Sequence, residues 1–197
     1  MTDTNTQVLF KSAPEGMPTS DNFEIAHTPI PEPGDGAFLL ENLFLSLDPY
    51  MRMLMGGGWT YSPNTLSPGD VMVGRVLGRV VKSRHPDYPV GTHVVGRLGW
   101  QTHVVSDGTD LDFVVEPKNN VPLSTYLGTC GSTGVTAWVG LKITGAPKPG
   151  ETVVVSAAAG SVGSTVGQLA KDMGCRAVGI AGGPEKCRTV TDVFGFD

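Results

Sequence analysis

The 197 residues predict two different folds in succession: a β-barrel-like domain, then the opening of a doubly wound parallel α/β sheet. Three observations lead there. Short apolar-alternating segments separated by Gly and Pro fill the first ~125 residues. Helical periodicity begins only near Cys130, and a continuous apolar strand, a glycine loop and a one-faced helix then follow in βαβ order.

Taken in chain order, Leu43, Leu45 and Leu47 alternate with Asn42, Phe44, Ser46 and Asp48, the period-two pattern of a strand with one face on a core. Residues 71–82 are rich in Val and Gly, with Gly74 and Gly78 expected at bulges or close backbone contacts. Residues 90–97, 101–106 and 112–115 supply three more short strands, and many short strands with little helix predict a compact barrel. A helix is expected to open over residues 134–141, with Gly145 as its stop. After the loop Pro147-Lys148-Pro149-Gly150, residues 151–156 form an apolar strand. The helix that follows places Val162, Val166, Leu169, Ala170 and Met173 on one face and closes at Gly174. Residues 176–181 read as a second buried strand, and Pro184 suits the first turn of another helix. The expected domains are therefore 1–125 and 126–197.

Composition narrows the function classes. With 40% hydrophobic and 17% charged residues the chain can bury a core. Its net charge of -5 carries no cationic cluster, which argues against a nucleic-acid or polybasic membrane surface. The polar start Met1–Gln7 is no secretory signal, and no run approaches the ~18 apolar residues of a membrane span. Three dispersed cysteines, Cys130, Cys175 and Cys187, fit reduced thiols in a cytoplasm.

The chemistry concentrates in the loop Ala158-x-Gly160-x-x-Gly163, in which alanine replaces the first glycine of a dinucleotide fingerprint. Gly160 would let the backbone approach a pyrophosphate, Gly163 would let helix and strand pack closely, and the helix N-terminus near Ser161 would face the anion. A glycine-lined turn of any α/β protein offers the same bare motif. Its place between an apolar strand and a periodic helix favours the nucleotide. An NAD site usually sets an acid near the end of the second strand, yet that region is Ala181-Gly182-Gly183. Glu185 fits a first-turn helix acid, while Lys186 and Arg188 suit a 2′-phosphate, although each alone is also an ordinary solvated cation. NADP is thus expected over NAD.

Residues 157–164 (AAAGSVGS), Gly167-Gln168, Ala170-Lys171 and Gly182-Gly183-x-Glu185-Lys186-Cys187 resemble the leukotriene B4 12-hydroxydehydrogenase/prostaglandin reductase group. That group includes plant alkenal double-bond reductases and bacterial curcumin reductases within the medium-chain dehydrogenase/reductase superfamily. Upstream, Leu47-Asp48-Pro49-Tyr50-Met51-Arg52, Gly99-Trp100-Gln101 and Thr136-Ala137-x-x-Gly140-Leu141 resemble the same group, so the likeness runs over nearly the whole chain.

The resemblance implies a chaperonin-10-like barrel followed by a Rossmann domain, with the active site between them. It implies NADPH-dependent reduction of the double bond of small α,β-unsaturated ketones and aldehydes, in an enzyme that is a homodimer at full length. It implies that Gly160, Ser161, Val162 and Gly163 cradle the pyrophosphate, that Lys186 contacts the 2′-phosphate, and that Tyr50 faces the substrate carbonyl. A half-buried core tyrosine is the alternative for Tyr50, and Arg52 reads as structural, with a cofactor contact as its alternative. No zinc is expected, because Ser46-Leu47-Asp48 and Val73-Gly74-Arg75 stand where zinc relatives carry a Cys and a Gly-His-Glu segment. His27, His85, His93 and His103 are isolated. Two strands fall short of the six of a doubly wound fold, so the chain is expected to be an inactive fragment of a longer enzyme. A quinone or enoyl-thioester reductase of the same superfamily and a non-enzymatic barrel module with a vestigial nucleotide half-site are the other readings.

Overall fold

The computed structural model describes residues 4–56 and 65–197; Met1–Asp3 of the polar start lie outside the described residues. The chain divides into two compact units, Met1–Ser124 and Thr125–Asp197. The first is a barrel-like β unit and the second the first βαβ of a parallel α/β sheet, the fold class expected from the patterning.

In the first unit, β1 (Thr4–Phe10) and β2 (Phe23–Pro29) form an antiparallel hairpin. A five-stranded antiparallel sheet holds β3 (Phe38–Leu45), β4 (Val76–Ser83), β5 (His93–Gly96), β6 (His103–Ser106) and β7 (Leu111–Val115), in the order β6-β3-β4-β5-β7. Strand β1 also holds the loops, since Val8 N–H donates to Trp100 O and Met72 N–H to Val8 O, both at 2.8 Å. The core of the sheet is Phe38, Leu40, Val76, Val80, Val94 and Leu98, all close to fully buried. Because one side of each strand meets this core, the apolar residues there alternate with the pleat.

The strand expected around Leu43, Leu45 and Leu47 is real but displaced. Phe38, Leu39 and Leu40 provide its buried residues, whereas Leu45 is 38% and Leu47 72% exposed. A register shift between Asn42 and Phe44 breaks the alternation on which the expectation rested, one face giving way to the other at a bulge. Gly78 lies opposite Asn42, and a Cβ there would come within 3.2 Å of Asn42 Oδ1 and Glu41 O. The strand expected from residue 71 starts at Val76, with Val71 making only an isolated bridge to Leu9.

Strands β1 and β2 escaped the sequence reading because β1 opens with the polar run Thr4-Asn5-Thr6-Gln7. Asn5 is nevertheless 2% exposed. Its Oδ1 accepts from His103 N–H at 2.9 Å and from the Thr102 hydroxyl at 3.1 Å, and its amide donates to Gln101 Oε1 at 3.3 Å. A polar residue of the strand is thus buried with its side chain paired, the condition under which such burial is tolerated.

In the second unit, α2 (Ser132–Trp138) runs on as a wider helical turn over Val139–Gly145. Parallel strands β8 (Thr152–Val155) and β9 (Arg176–Gly179) flank α3 (Ser161–Asp172), and α4 (Pro184–Arg188) follows with Pro184 at its first turn. Small residues let these elements approach. Gly163, Gly167 and Ala170 are buried on α3, with Val166, Leu169 and Met173 packed around them. A Cβ at Gly167 would sit 1.9 Å from the Phe196 ring, so the glycine makes room for the aromatic that closes this core. Val154 and Ile180 remain 62% and 59% exposed, so the two strands are covered on one face only.

Candidate functional site

The candidate phosphate loop is built by the end of β8 and the start of α3. Gly160 is the N-cap of α3, and Ser164 N–H makes the first bond back to Gly160 O at 2.9 Å. Among the described residues, the N–H groups of Ser161, Val162 and Gly163 have no protein acceptor, as the first turn of any helix dictates. They stand at the positive end of a twelve-residue helix. The two glycines differ in what they are for. A Cβ at Gly163 would lie 2.4 Å from Ala157 O, so its absence lets α3 seat against the strand. A Cβ at Gly160 would meet only Ala157 O at 3.2 Å, which leaves the outer side of that peptide open to a ligand. Ala157 takes a left-handed φ of 48° at the turn into the loop, and Ala158, in the position of the missing first glycine, is fully buried.

Because β8 and β9 run parallel, their C-terminal ends are adjacent: Ile180 N–H donates to Val155 O at 2.8 Å, and Ala158 N–H to Ile180 O at 3.0 Å. The segment after β9 therefore leaves from the same end of the sheet as the phosphate loop. It leads through Gly183, with φ of 86°, into α4, which carries Lys186 and Arg188. Both cations are exposed, and neither has an ion-pair partner among the described residues. Glu185 occupies the first turn of α4, the place a helix favours for an acid.

Tyr50 lies in the other unit, as the first residue of α1 (Tyr50–Leu54). It follows the end of β3, and its charged neighbours Arg75, Arg97 and Asp112 lie at the end of the five-stranded sheet where Leu45, Val76, Gly96 and Leu111 form a row across β3, β4, β5 and β7. Just beyond that row come Asp48 and Tyr50 after β3, Arg75 before β4 and Arg97 after β5, with Asp112 beside it in β7. Arg75 Nε binds Asp112 Oδ2 at 2.5 Å. Burial raises the pKa of the half-buried Tyr50 hydroxyl, Asp48 raises it further, and Arg75 and Arg97 oppose them. The net direction is upward, so the phenol stays a hydrogen-bond donor at neutral pH. Asp48 Oδ2 is buried without a hydrogen-bond partner. The charged frame of Arg75, Arg97 and Asp112 was not foreseen, since pairs 37 residues apart leave no local signal.

Arg52 resolves to its structural role, as its guanidinium donates to the carbonyls of Pro14, Gly16 and Gly56 at 2.9–3.2 Å. Among the described residues no three His, Cys, Asp or Glu side chains converge as a metal-ligand set. No helix among them is long and apolar enough to cross a membrane. The three cysteines form no disulfide.

Comparison with known proteins supplies the class. Residues 6–114 match the family model described as the N-terminal domain of oxidoreductase. The chain is 48% identical over 193 residues, 98% of its length, to the NADPH-dependent curcumin reductase of Escherichia coli (strain K12), of which it covers 55%. It is 47% identical over 184 residues, 93% of its length, to prostaglandin reductase 1 of Rattus norvegicus, covering 53%. Among solved structures, CurA of Vibrio vulnificus in complex with NADPH superposes with a TM-score of 0.86 at 42% identity, over 98% of this chain and 56% of that one. The chain belongs to this oxidoreductase family. It spans about half the length of the relatives it matches.

Proposed function

We propose that the protein carrying this chain reduces the carbon–carbon double bond of α,β-unsaturated ketones and aldehydes with NADPH, as a zinc-independent enzyme. The observation that carries this reading is the pairing, at one end of β8 and β9, of three unpartnered N–H groups with an unpaired Lys186. This set fits a dinucleotide pyrophosphate together with a 2′-phosphate and offers no carboxylate at the strand end for a 2′-hydroxyl. Gly160, Ser161, Val162 and Gly163 hold the pyrophosphate, and Lys186 pairs with the 2′-phosphate. When bound, NADPH supplies the hydride that the β-carbon of the enone receives.

Tyr50 acts on the substrate. Its protonated hydroxyl donates to the carbonyl oxygen and stabilises the negative charge that develops there as the double bond is reduced. The raised pKa keeps that proton in place through neutral and mildly alkaline pH. The relatives' names, a curcumin reductase and a prostaglandin reductase, support small-molecule enones as the substrate class. Dimer formation and a cytoplasmic location belong to the same reading. The 197 residues alone are expected to bind nucleotide weakly at best and not to turn over, because one parallel strand pair offers half of the crevice a doubly wound fold uses.

The test is NADPH consumption by the full-length protein against a panel of enones, quinones and enoyl thioesters. Enones are expected to be the best acceptors, and Tyr50→Phe to lower their turnover by about 10²-fold, the scale of one oxyanion donor, with NADPH affinity unchanged. A preference for quinones or thioesters, or full turnover by Tyr50→Phe on every enone, would refute the assignment.

A further inference from the structure

One contact at the phosphate loop is made by a residue no motif singles out. Thr133, in the first turn of α2, accepts a hydrogen bond from the Ser161 hydroxyl at 3.0 Å. The direction follows from proton count. A threonine hydroxyl has one proton, and that of Thr133 is used on Gly128 O at 2.9 Å. Ser161 must therefore be the donor between the two hydroxyls. Its only proton is committed inside the protein, so it meets a phosphate through its backbone N–H and not through its side chain.

The Ser161 carbonyl is held as well. It accepts from the Thr165 hydroxyl at 2.9 Å, on a side of α3 that is buried, and from the Ser164 hydroxyl at 3.3 Å. The peptide joining Ser161 to Val162 is planar and trans, so fixing its C=O also fixes the Val162 N–H that points the opposite way. Ser161 is thus clamped at its side chain by α2 and at its carbonyl by its own helix. The result aims the unpartnered N–H groups out of the helix start.

We infer that Thr133 is a positioning residue for the dinucleotide pyrophosphate, acting through Ser161 by a relay that runs Ser161 O–H to Thr133 to Gly128 O. The inference rests on the NADPH reading above and adds to it a residue on a different helix. Because the pyrophosphate is common to both nicotinamide dinucleotides, the relay supports NADPH and NADH alike. Lys186, directed at the 2′-phosphate, supports NADPH alone.

The test uses the full-length protein and measures NADPH and NADH dissociation constants for wild type, Thr133→Val, Thr133→Ser, Ser161→Ala and the Thr133→Val/Ser161→Ala double variant. Valine keeps the shape of threonine and removes the acceptor, whereas serine keeps the hydroxyl. Thr133→Val is expected to weaken both dinucleotides by the same factor, about three- to tenfold for one neutral hydrogen bond. KM for NADPH should rise with it while kcat at saturation moves less than twofold. Thr133→Ser should stay within twofold of wild type, and Thr133→Val should add less than twofold once Ser161 is alanine. Wild-type affinity in Thr133→Val, equal damage from Thr133→Ser, or the full Thr133→Val effect persisting in the Ser161→Ala background would overturn the inference. A wild-type protein that binds no NADPH would instead remove the cofactor reading on which it rests.

Discussion

The two units use opposite means to become dense. The barrel unit packs large side chains, with Phe38, Leu39, Leu40, Leu77, Val94 and Val95 at 0–1% exposure. It also buries the polar Asn5 by pairing its side chain with Gln101, Thr102 and His103. The βαβ unit packs by subtraction: Gly163, Gly167 and Gly179 lack side chains where a carbonyl, the Phe196 ring or the Ala158 methyl already fills the space. Volume carries the first core and close backbone approach carries the second. Close approach also leaves the phosphate loop its form, because the glycine that seats α3 is three residues from the one that opens the loop to a ligand. In the βαβ unit, then, the fold and the proposed phosphate site share a few small residues. In the barrel unit the core and the Tyr50 frame are separate.

That contrast can be broken most forcefully at the glycines. Gly163→Ala forces a methyl to 2.4 Å from Ala157 O, where backbone must move, and should cost several kcal/mol at the upper end of overpacking penalties while abolishing dinucleotide binding. Gly160→Ala meets only one oxygen at 3.2 Å, and should leave the unfolding transition nearly unmoved while weakening NADPH. Denaturant titration alongside NADPH titration separates the two. If both variants unfold alike, the division of labour between the glycines is wrong.

The barrel's counterpart is Asn5→Ala. Losing this buried side chain leaves the half-buried His103 N–H without its acceptor, and should destabilise the unit by about 1–3 kcal/mol, read by denaturant unfolding. NADPH affinity should not change, since Asn5 belongs to the other unit. A shift below a few tenths of a kcal/mol would mean that the polar strand is held by its backbone alone.

The smallest expected change is the most selective. Lys186→Ala, on an exposed position of α4, should leave stability untouched and weaken NADPH roughly tenfold while leaving NADH as it was. Equal weakening of both would move Lys186 away from the 2′-phosphate.

The same contrast explains what could be read from the sequence. The βαβ unit was legible almost to the residue, because strand, loop and helix are local patterns and their glycines mark the turns: α3 begins at Ser161 and Pro184 opens α4 as spacing predicts. The barrel was legible only in kind. Strand β1 is polar, its burial depends on partners almost a hundred residues away, and the bulge after Asn42 shifts the leucine alternation off the core. Tyr50 stood out through its motif, but the Arg75–Asp112 pair beside it and the Thr133 contact to Ser161 exist only once distant segments meet.

The central claim, hydride delivery from NADPH to the β-carbon of an enone, is tested most directly by isotope transfer. The full-length protein would be given NADPH carrying deuterium at the transferred position together with a simple enone, and the product examined by mass spectrometry and NMR. The expected product is a saturated ketone with one deuterium at the former β-carbon and none at the carbonyl carbon. Deuterium on a carbinol carbon of an allylic alcohol, or no transfer to the enone at all, would contradict it.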